Sequence, residues 1–255
     1  MSFGAVLGLT CALGCEPTLD LGTYRCEPKG ELRAPTEDDI LPFPWSTSFE
    51  RQFCDYDPPL GFCYKAPAAS FEIVTEPVRS GRFAAAFTVV AAADSDATQT
   101  RCVRQGVLPI EAYYGAWYFI PVAAVNEGNW NLFHFRGALA DEAVSLWDVS
   151  LASDESGALR LALLNFQDTA GVRVDPSAPT VPIGRWFHVQ FFWKRSTEPD
   201  GEVAVYQDGE RLYHLQDIVT DNTDWAAWYV GNFATGLVPP TSTIYVDDVS
   251  ITETL

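Results

Sequence analysis

Residues 185–194 read Arg-Trp-Phe-His-Val-Gln-Phe-Phe-Trp-Lys, and this stretch decides the fold. Side chains of a β-strand alternate between the two faces of a sheet, so one face would carry Phe187, Val189, Phe191 and Trp193. The other face would carry Trp186, His188, Gln190, Phe192 and Lys194. A strand that is apolar on one side and mixed on the other is typical of a sheet with one packed face and one face toward water or a ligand.

A hairpin is predicted directly after this strand. Asp208-Gly209 lies between two alternating runs, and this dipeptide favours the type I′ turn that matches the twist of paired strands. Pairing about the turn would set Val205 opposite Leu212 and Tyr206 opposite Arg211. We expect the valine face to be the core face.

Composition limits the classes of protein to consider. A chain of 255 residues with 47% hydrophobic content can bury a large core, and we expect one domain with an N-terminal extension. The formal net charge of −18 argues against nucleic acid or an anionic membrane surface as a partner. The sequence has no run of about 18 apolar residues, so membrane attachment would require a lipid anchor.

The N-terminus resembles a bacterial lipoprotein signal in which Cys15 is the lipidated residue. An ordinary secretory signal and a mis-set start codon are the alternatives. The expected organisation is a signal at residues 1–15, a proline-rich extended linker at 16–45 and a domain at 46–255. This organisation predicts a secreted protein or a lipoprotein of the bacterial cell envelope.

Four cysteines remain once Cys11 and Cys15 are assigned to the signal, and in an exported chain they suggest two disulfides. We expect Cys54 to pair with Cys63, because the turn-forming residues Asp57-Pro58-Pro59-Leu60-Gly61 between them bring the two ends together. Cys26 would then pair with Cys102.

A second strand with a mixed face is predicted at residues 130–136. Alternation places Phe133 and Phe135 on one side, and the other side would carry Trp130, Leu132, His134 and Arg136. Further strands are predicted near residues 71–74, 83–90, 112–120, 144–151, 158–166, 225–233 and 243–252. Many short strands without a convincing helix indicate an all-β antiparallel sandwich or jelly roll.

Four short motifs resemble the concanavalin A-like jelly rolls, and within them the laminin-G-like and polysaccharide-lyase-like members. They are Gly-Arg-Trp-Phe-His-Val at 184–189, Tyr-Gln-Asp-Gly-Glu at 206–210, Val-Gly-Asn at 230–232 and Ile-Tyr-Val-Asp-Asp-Val-Ser-Ile at 244–251. The resemblance covers residues 46–255 and implies that a polysaccharide lies across the concave sheet. The expected sugar-binding residues are Trp130, Arg136, Trp186, His188, Gln190 and Arg104, which offer aromatic stacking, hydrogen bonds and guanidinium groups.

The alginate lyases among these jelly rolls carry an Arg-x-Glu strand, a Gln-x-His strand and a Tyr-x-Lys-x-Gly-x-Tyr strand. Aligned on them, this chain keeps Arg101 and His134, while the Glu, the Gln and the acid Tyr are replaced by Val103, Leu132 and Phe233. Tyr229 or Tyr118 would have to supply the acid. The sequence therefore favours a lectin-like polysaccharide-binding protein, with a lyase that uses Arg101, His134 and Tyr229 as the alternative.

The resemblance also implies a structural Ca²⁺ site, because carbohydrate-binding jelly rolls commonly hold calcium between the first and last strands. Glu50, Asp247 and Asp248 would supply the oxygen ligands that calcium prefers. Aspartates that end an edge strand are the simpler alternative.

Overall fold

The computed structural model describes residues 31–92, 97–139, 142–166, 172–221, 223 and 225–255. The predicted signal with Cys15, and Cys26, lie outside the described residues. The described part of the chain contains no α-helix, and hence no helix that can cross a membrane. It forms seventeen strands: β1 Trp45–Thr47, β2 Gly61–Lys65, β3 Ala69–Val74, β4 Ala84–Val90, β5 Thr98–Gly106, β6 Glu111–Phe119, β7 Val125–Asn126, β8 Trp130–Leu139, β9 Glu142–Ser153, β10 Leu159–Asn165, β11 Val172–Val174, β12 Trp186–Lys194, β13 Gly201–Gln207, β14 Glu210–Ile218, β15 Trp225–Ala234, β16 Leu237–Val238 and β17 Thr241–Thr252.

The strands build two large antiparallel sheets that pack face to face. One sheet has eight strands in the order β14-β13-β12-β6-β17-β4-β3, with β1 paired to β17. The other has seven strands in the order β11-β10-β9-β8-β15-β5-β2. The predicted all-β sandwich of the concanavalin A-like jelly-roll type is confirmed.

The core lies between the sheets, where the sequence pattern of β12 places it. Phe187, Val189, Phe191 and Trp193 are fully buried. Phe191 packs against Phe135 of the other sheet, with ring centroids 4.5 Å apart. Burial of each large apolar side chain contributes on the order of 1.5 to 3 kcal/mol, so this inter-sheet layer holds the sandwich together.

The β13–β14 hairpin has the predicted turn but a shifted register. Asp208 and Gly209 have φ of 52° and 83°, as a type I′ turn requires, and Tyr206 faces Arg211. A bulge follows this pair, so that Val205 faces Tyr213 and the expected pairing with Leu212 is wrong. The extra residue of a bulge is left unpaired, and the strand beyond it is displaced by one position.

A bulge in β8 also overturns the prediction for Trp130. The register shifts between Asn131 and Phe133, which reverses the alternation of side chains at this end of the strand. Trp130 is fully buried and donates a hydrogen bond from Nε1 to Oδ1 of Asn232 at 3.0 Å. Its ring therefore belongs to the core and cannot stack on a sugar, whereas His134 and Arg136 do lie on the outer face.

The disulfide predictions are wrong. Cys63 on β2 lies directly opposite Cys102 on β5, with Cα atoms 3.9 Å apart, and the two form a disulfide across adjacent strands. This bond excludes both Cys54–Cys63 and Cys26–Cys102. Cys54 is itself disulfide-bonded. Strand pairing between distant segments, and not the turn chemistry near Cys54, decides which thiols meet.

The described part of the predicted linker is residues 31–45, of which Trp45 already belongs to β1. Residues 31–44 pack against the end of β5. Ile40 forms a β-bridge with Val107, Leu41 is buried, and Gln105 donates a hydrogen bond to the backbone oxygen of Arg33 at 3.0 Å. This segment is therefore attached to the sandwich.

Candidate active site

A cavity of about 370 Å³ lies on the outer face of the seven-stranded sheet. Strands β5, β8, β9 and β15 supply most of its walls, and alternation directs their polar residues away from the core. The lining residues are Gln99, Arg101, Asn129, Asn131, His134, Arg136, Ser145, Asp148, Phe166 and Phe233.

His134 is held by a buried carboxylate within this cavity. Its Nδ1–H donates a hydrogen bond to Oδ1 of Asp148 at 2.5 Å, and the Asp148 side chain is only 1% exposed. Oδ2 of Asp148 accepts hydrogen bonds from the side-chain amides of Asn131 at 3.0 Å and Asn129 at 3.3 Å. With Nδ1 donating to the carboxylate, the neutral ring keeps its free lone pair on Nε2, which can accept a proton.

Arg101 continues the same network on the neighbouring side of the cavity. Its Nη2 donates to Oδ1 of Asn131 at 3.0 Å, and its guanidinium lies 4.6 Å from the ring centroid of Phe233 and 5.6 Å from that of Tyr229. These contacts fix the plane of the guanidinium. A planar, oriented guanidinium is suited to bidentate recognition of a carboxylate.

The structure therefore brings together four of the residues predicted for the site. Arg101, His134 and Arg136 line the cavity, and the ring of Tyr229 lies 5.2 Å from that of His134. Tyr118, the other tyrosine considered as an acid, lies in the core, donates its hydroxyl hydrogen to the backbone oxygen of Leu132 and has a pKa raised by burial. It cannot reach the cavity.

Three residues that complete the network are not predicted by any motif in the sequence. Asn131 is hydrogen-bonded to both Arg101 and Asp148. Simple alternation would place Leu132 on the outer face in its stead, because it does not foresee the bulge in β8. Asp148 and Asn129 carry no motif. An isolated acidic residue in the apolar strand Ser-Leu-Trp-Asp-Val-Ser at 145–150 was the available signal, because a buried carboxylate requires hydrogen-bond partners.

Arg104 does not bind at this site, contrary to the prediction. It is 3% exposed, its guanidinium lies 4.5 Å from the ring centroid of Trp45, and its Nη1 donates to the backbone oxygen of Asp55. Burial lowers its pKa to about 10. The side chain faces the inside of the sandwich, because Arg104 lies three positions from Arg101 and alternation places it on the opposite face.

Three other predicted ligand residues, Trp186, His188 and Gln190, belong to β12 and therefore to the eight-stranded sheet. Their side chains lie on the outer face of that sheet, on the far side of the core from His134. The prediction that β8 and β12 present one shared sugar-binding face is wrong. Equal side-chain patterns do not place two strands in one sheet.

The acidic residues proposed for calcium are engaged by the chain itself. Glu50 accepts hydrogen bonds from two backbone N–H groups of residues 79–83, and Asp247 accepts from two others and from the N–H of Asp248. Burial raises the pKa of Asp247 to about 6. The described residues contain no group of three or more His, Cys, Asp or Glu placed to hold a metal. Calcium binding by these residues stays a prediction.

Comparison with known proteins gives the fold but no family. No protein-family model and no curated protein sequence matches the chain. Among solved structures, an endo-β-1,4-glucuronan lyase from the fungus Trichoderma reesei is similar with a TM-score of 0.63 and 15% identity, over 82% of this chain and 95% of that chain. The cellulose induced protein Cip1 is similar with a TM-score of 0.56 and 14% identity, over 82% and 97% of the two chains.

The PL-14 alginate lyase from Aplysia kurodai is also similar, with a TM-score of 0.53 and 11% identity over 81% of this chain and 97% of that chain. At such identities the likeness concerns the fold alone. It agrees with the jelly-roll fold that the sequence motifs indicated.

Proposed function

We propose that this protein is a polysaccharide lyase that cleaves a uronate-containing glycan by β-elimination. The observation that carries the proposal is the hydrogen-bonded chain Arg101–Asn131–Asp148–His134 in the cavity of the seven-stranded sheet. This chain joins a carboxylate-binding cation to a proton-accepting imidazole, and these are two of the three groups that β-elimination requires.

Arg101, His134 and Asp148 have separate roles in removing the proton. The guanidinium of Arg101 holds the uronate carboxylate and lowers the cost of negative charge that develops beside it. Nε2 of His134 accepts the proton from the carbon next to the carboxylate. The electron pair left on that carbon forms a double bond to the next ring carbon, whose bond to the glycosidic oxygen breaks. Asp148 orients the imidazole and stabilises the imidazolium that forms.

The departing oxygen needs a proton, and Tyr229 is the candidate donor because its ring lies 5.2 Å from the His134 ring and 5.6 Å from the Arg101 guanidinium. Phe233 lines the cavity without a hydroxyl group, so the acid cannot come from that position.

The substrate class follows from the charge of the site and is consistent with the structural neighbours. The cavity carries two guanidinium groups, from Arg101 and Arg136, in a chain whose formal net charge is −18. Two of the solved structures with this fold are described as lyases of glucuronan and of alginate, which are both uronate polymers. We infer an exported enzyme, because a disulfide such as Cys63–Cys102 persists in oxidising compartments.

Lectin-like binding is the second candidate function, and the specific observation in its favour is Phe233. The lyase motif would place a proton-donating tyrosine at this position. The phenyl ring of Phe233 instead packs against the guanidinium of Arg101 and has no hydroxyl group to donate a proton. A protein that keeps the carboxylate-binding groups and lacks an effective acid would bind the glycan without cleaving it.

Incubation of the purified protein with polyglucuronate, polymannuronate and polyguluronate, with ultraviolet absorbance of the unsaturated product as readout, tests the proposal. The wild type should release unsaturated oligosaccharides from at least one polymer. His134→Ala should lower kcat/KM about 10³-fold, since a positioned general base contributes roughly 10² to 10⁴.

His214→Ala is the matched control, because His214 also pairs with a carboxylate, Glu202 at 2.7 Å, but lies on the other sheet. Its activity should equal that of the wild type. Binding of a polyuronate without any unsaturated product would favour the lectin-like function and reject the lyase.

A further inference from the structure

A second cavity, of about 340 Å³, lies on the outer face of the eight-stranded sheet. Strands β1, β6, β12 and β17 form its walls. Its lining residues are Ser46, Thr47, Ser48, Trp117, His188, Asp248, Val249 and Ser250. The core of the sandwich separates it from the cavity that holds His134, so it is a distinct site.

Two stacked aromatic rings line this cavity. His188 and Trp117 face each other on paired strands and stack with centroids 4.8 Å apart and planes 9° apart. The guanidinium of Arg79 lies 4.1 Å from the Trp117 ring centroid and holds the indole in place. Gly115 on β6 allows the His188 ring to lie this close to the sheet, since a Cβ at position 115 would lie only 3.1 Å from Nε2 of His188.

Several polar groups at this cavity have no partner within the described part of the chain. They are the ring nitrogens of His188, the hydroxyl groups of Ser46, Ser48 and Ser250, and one carboxylate oxygen of Asp248, whose other oxygen accepts a hydrogen bond from Ser80 at 2.7 Å. Burial lowers the pKa of His188 to about 4, so the imidazole is neutral near pH 7 and both accepts and donates.

This chemistry selects an uncharged, hydroxyl-rich ligand. Hydroxyls and a neutral imidazole exchange hydrogen bonds with sugar hydroxyls, and a carboxylate accepts from them strongly. Asp248 would repel a uronate. The guanidinium of Arg79 lies over the Trp117 ring and is not among the residues that line the cavity, so it does not offset this repulsion inside the cavity. The two cavities therefore differ in the charge that they accept.

Aromatic side chains continue along the same face on both sides of the cavity. Toward one end Tyr113 packs against Phe192 at 4.8 Å, and toward the other Phe119 packs against Trp186 at 5.6 Å. Partly exposed rings offer apolar surface to the C–H groups of pyranose units. A glycan longer than one unit can thus contact the sheet beyond the cavity.

We propose that the cavity at Trp117, His188 and Asp248 is a second, non-catalytic glycan site that takes an uncharged hexopyranose unit. It goes beyond the proposed lyase function and does not depend on it. A site of this kind would hold the protein on a neutral polysaccharide while the opposite sheet acts on a uronate glycan.

Isothermal titration of the full chain with cellohexaose, mannohexaose and a glucuronate hexamer tests the assignment. The wild type should bind at least one neutral hexamer, and His188→Ala and Asp248→Asn should each weaken that binding tenfold or more. Asp248→Asn keeps an acceptor for Ser80 and tolerates the positive φ of 46° at this position. It therefore supports the result if His188→Ala proves unstable.

His214→Ala is the control on the same sheet, and His134→Asn the control on the other, and both should bind the neutral hexamers as the wild type does. The proposal fails if the wild type binds neither neutral hexamer, or if both site variants bind with unchanged affinity. Loss of glucuronate-hexamer binding in the same variants would reject the neutral class. Lyase activity plays no part in this readout, so failure here leaves the lyase proposal intact.

Discussion

Strands β8 and β12 carry nearly the same residues, Trp, Phe, His and a cation in alternating positions, and yet they build opposite surfaces of the molecule. His134 on β8 donates to the buried carboxylate of Asp148, whereas His188 on β12 stacks on Trp117 and has no carboxylate bonded to its ring among the described residues. The first arrangement suits proton transfer, and the second suits neutral hydrogen bonding. The partner of a histidine, more than its strand pattern, decides its chemistry.

The two tryptophans that begin the pattern differ in the same way. Trp130 is fully buried and hydrogen-bonded to Asn232, whereas Trp186 is half-buried at the edge of an aromatic row. Trp130→Ala should lower the free energy of unfolding by about 3 to 5 kcal/mol, because it leaves a large cavity, and Trp186→Ala should cost less than about 1.5 kcal/mol. Urea unfolding of the two variants measures both values. Equal losses would contradict the placement of the bulge in β8.

Asp148→Asn separates the two histidines by function. An amide in place of the carboxylate no longer favours the tautomer that leaves Nε2 free and no longer stabilises the imidazolium, so we expect lyase activity to fall about 10²-fold. Asp248→Asn is the matched control on the opposite sheet and should leave the rate on a polyuronate unchanged. A comparable fall in Asp248→Asn would mean that both faces contribute to the reaction.

A smaller effect is expected in the pH dependence of the free energy of unfolding, and it comes from His188. Burial lowers the pKa of His188 to about 4, against 6.5 for an ordinary histidine, so the unfolded chain takes up a proton between these values and the folded chain does not. The free energy of unfolding should therefore decrease as the pH falls from 6.5 toward 4, with a contribution from His188 of about 2 kcal/mol.

His188→Gln removes this contribution. The free energy of unfolding of the wild type, minus that of the variant, should therefore decrease as the pH falls over the same interval. Asp208, Arg79 and Asp248 act on His188 and are unchanged in both proteins. A difference that is constant from pH 7 to pH 4 would mean that His188 is protonated in the fold as readily as in the unfolded chain.

Local alternation predicted the core face of β12 correctly at all four positions, because each residue's side follows from its neighbours in the same strand. The same rule failed in β8, where a bulge at residues 131–133 reversed the alternation. For the candidate site, the resemblance supplied Arg101 and His134, which both line the cavity. It missed Asp148, which has no motif and becomes part of the site only through the pairing of β8 with β9.

By itself the sequence determined the all-β class, the turn at Asp208-Gly209, and the core face of β12, because these depend on periodicity and turn chemistry over a few positions. Only the tertiary structure decided that β8 and β12 lie in different sheets, that Cys63 meets Cys102, and that the carboxylate of Asp148 holds His134. Each of these contacts joins residues from separate strands. Their meeting depends on the order in which the strands pair, and no local pattern specifies that order.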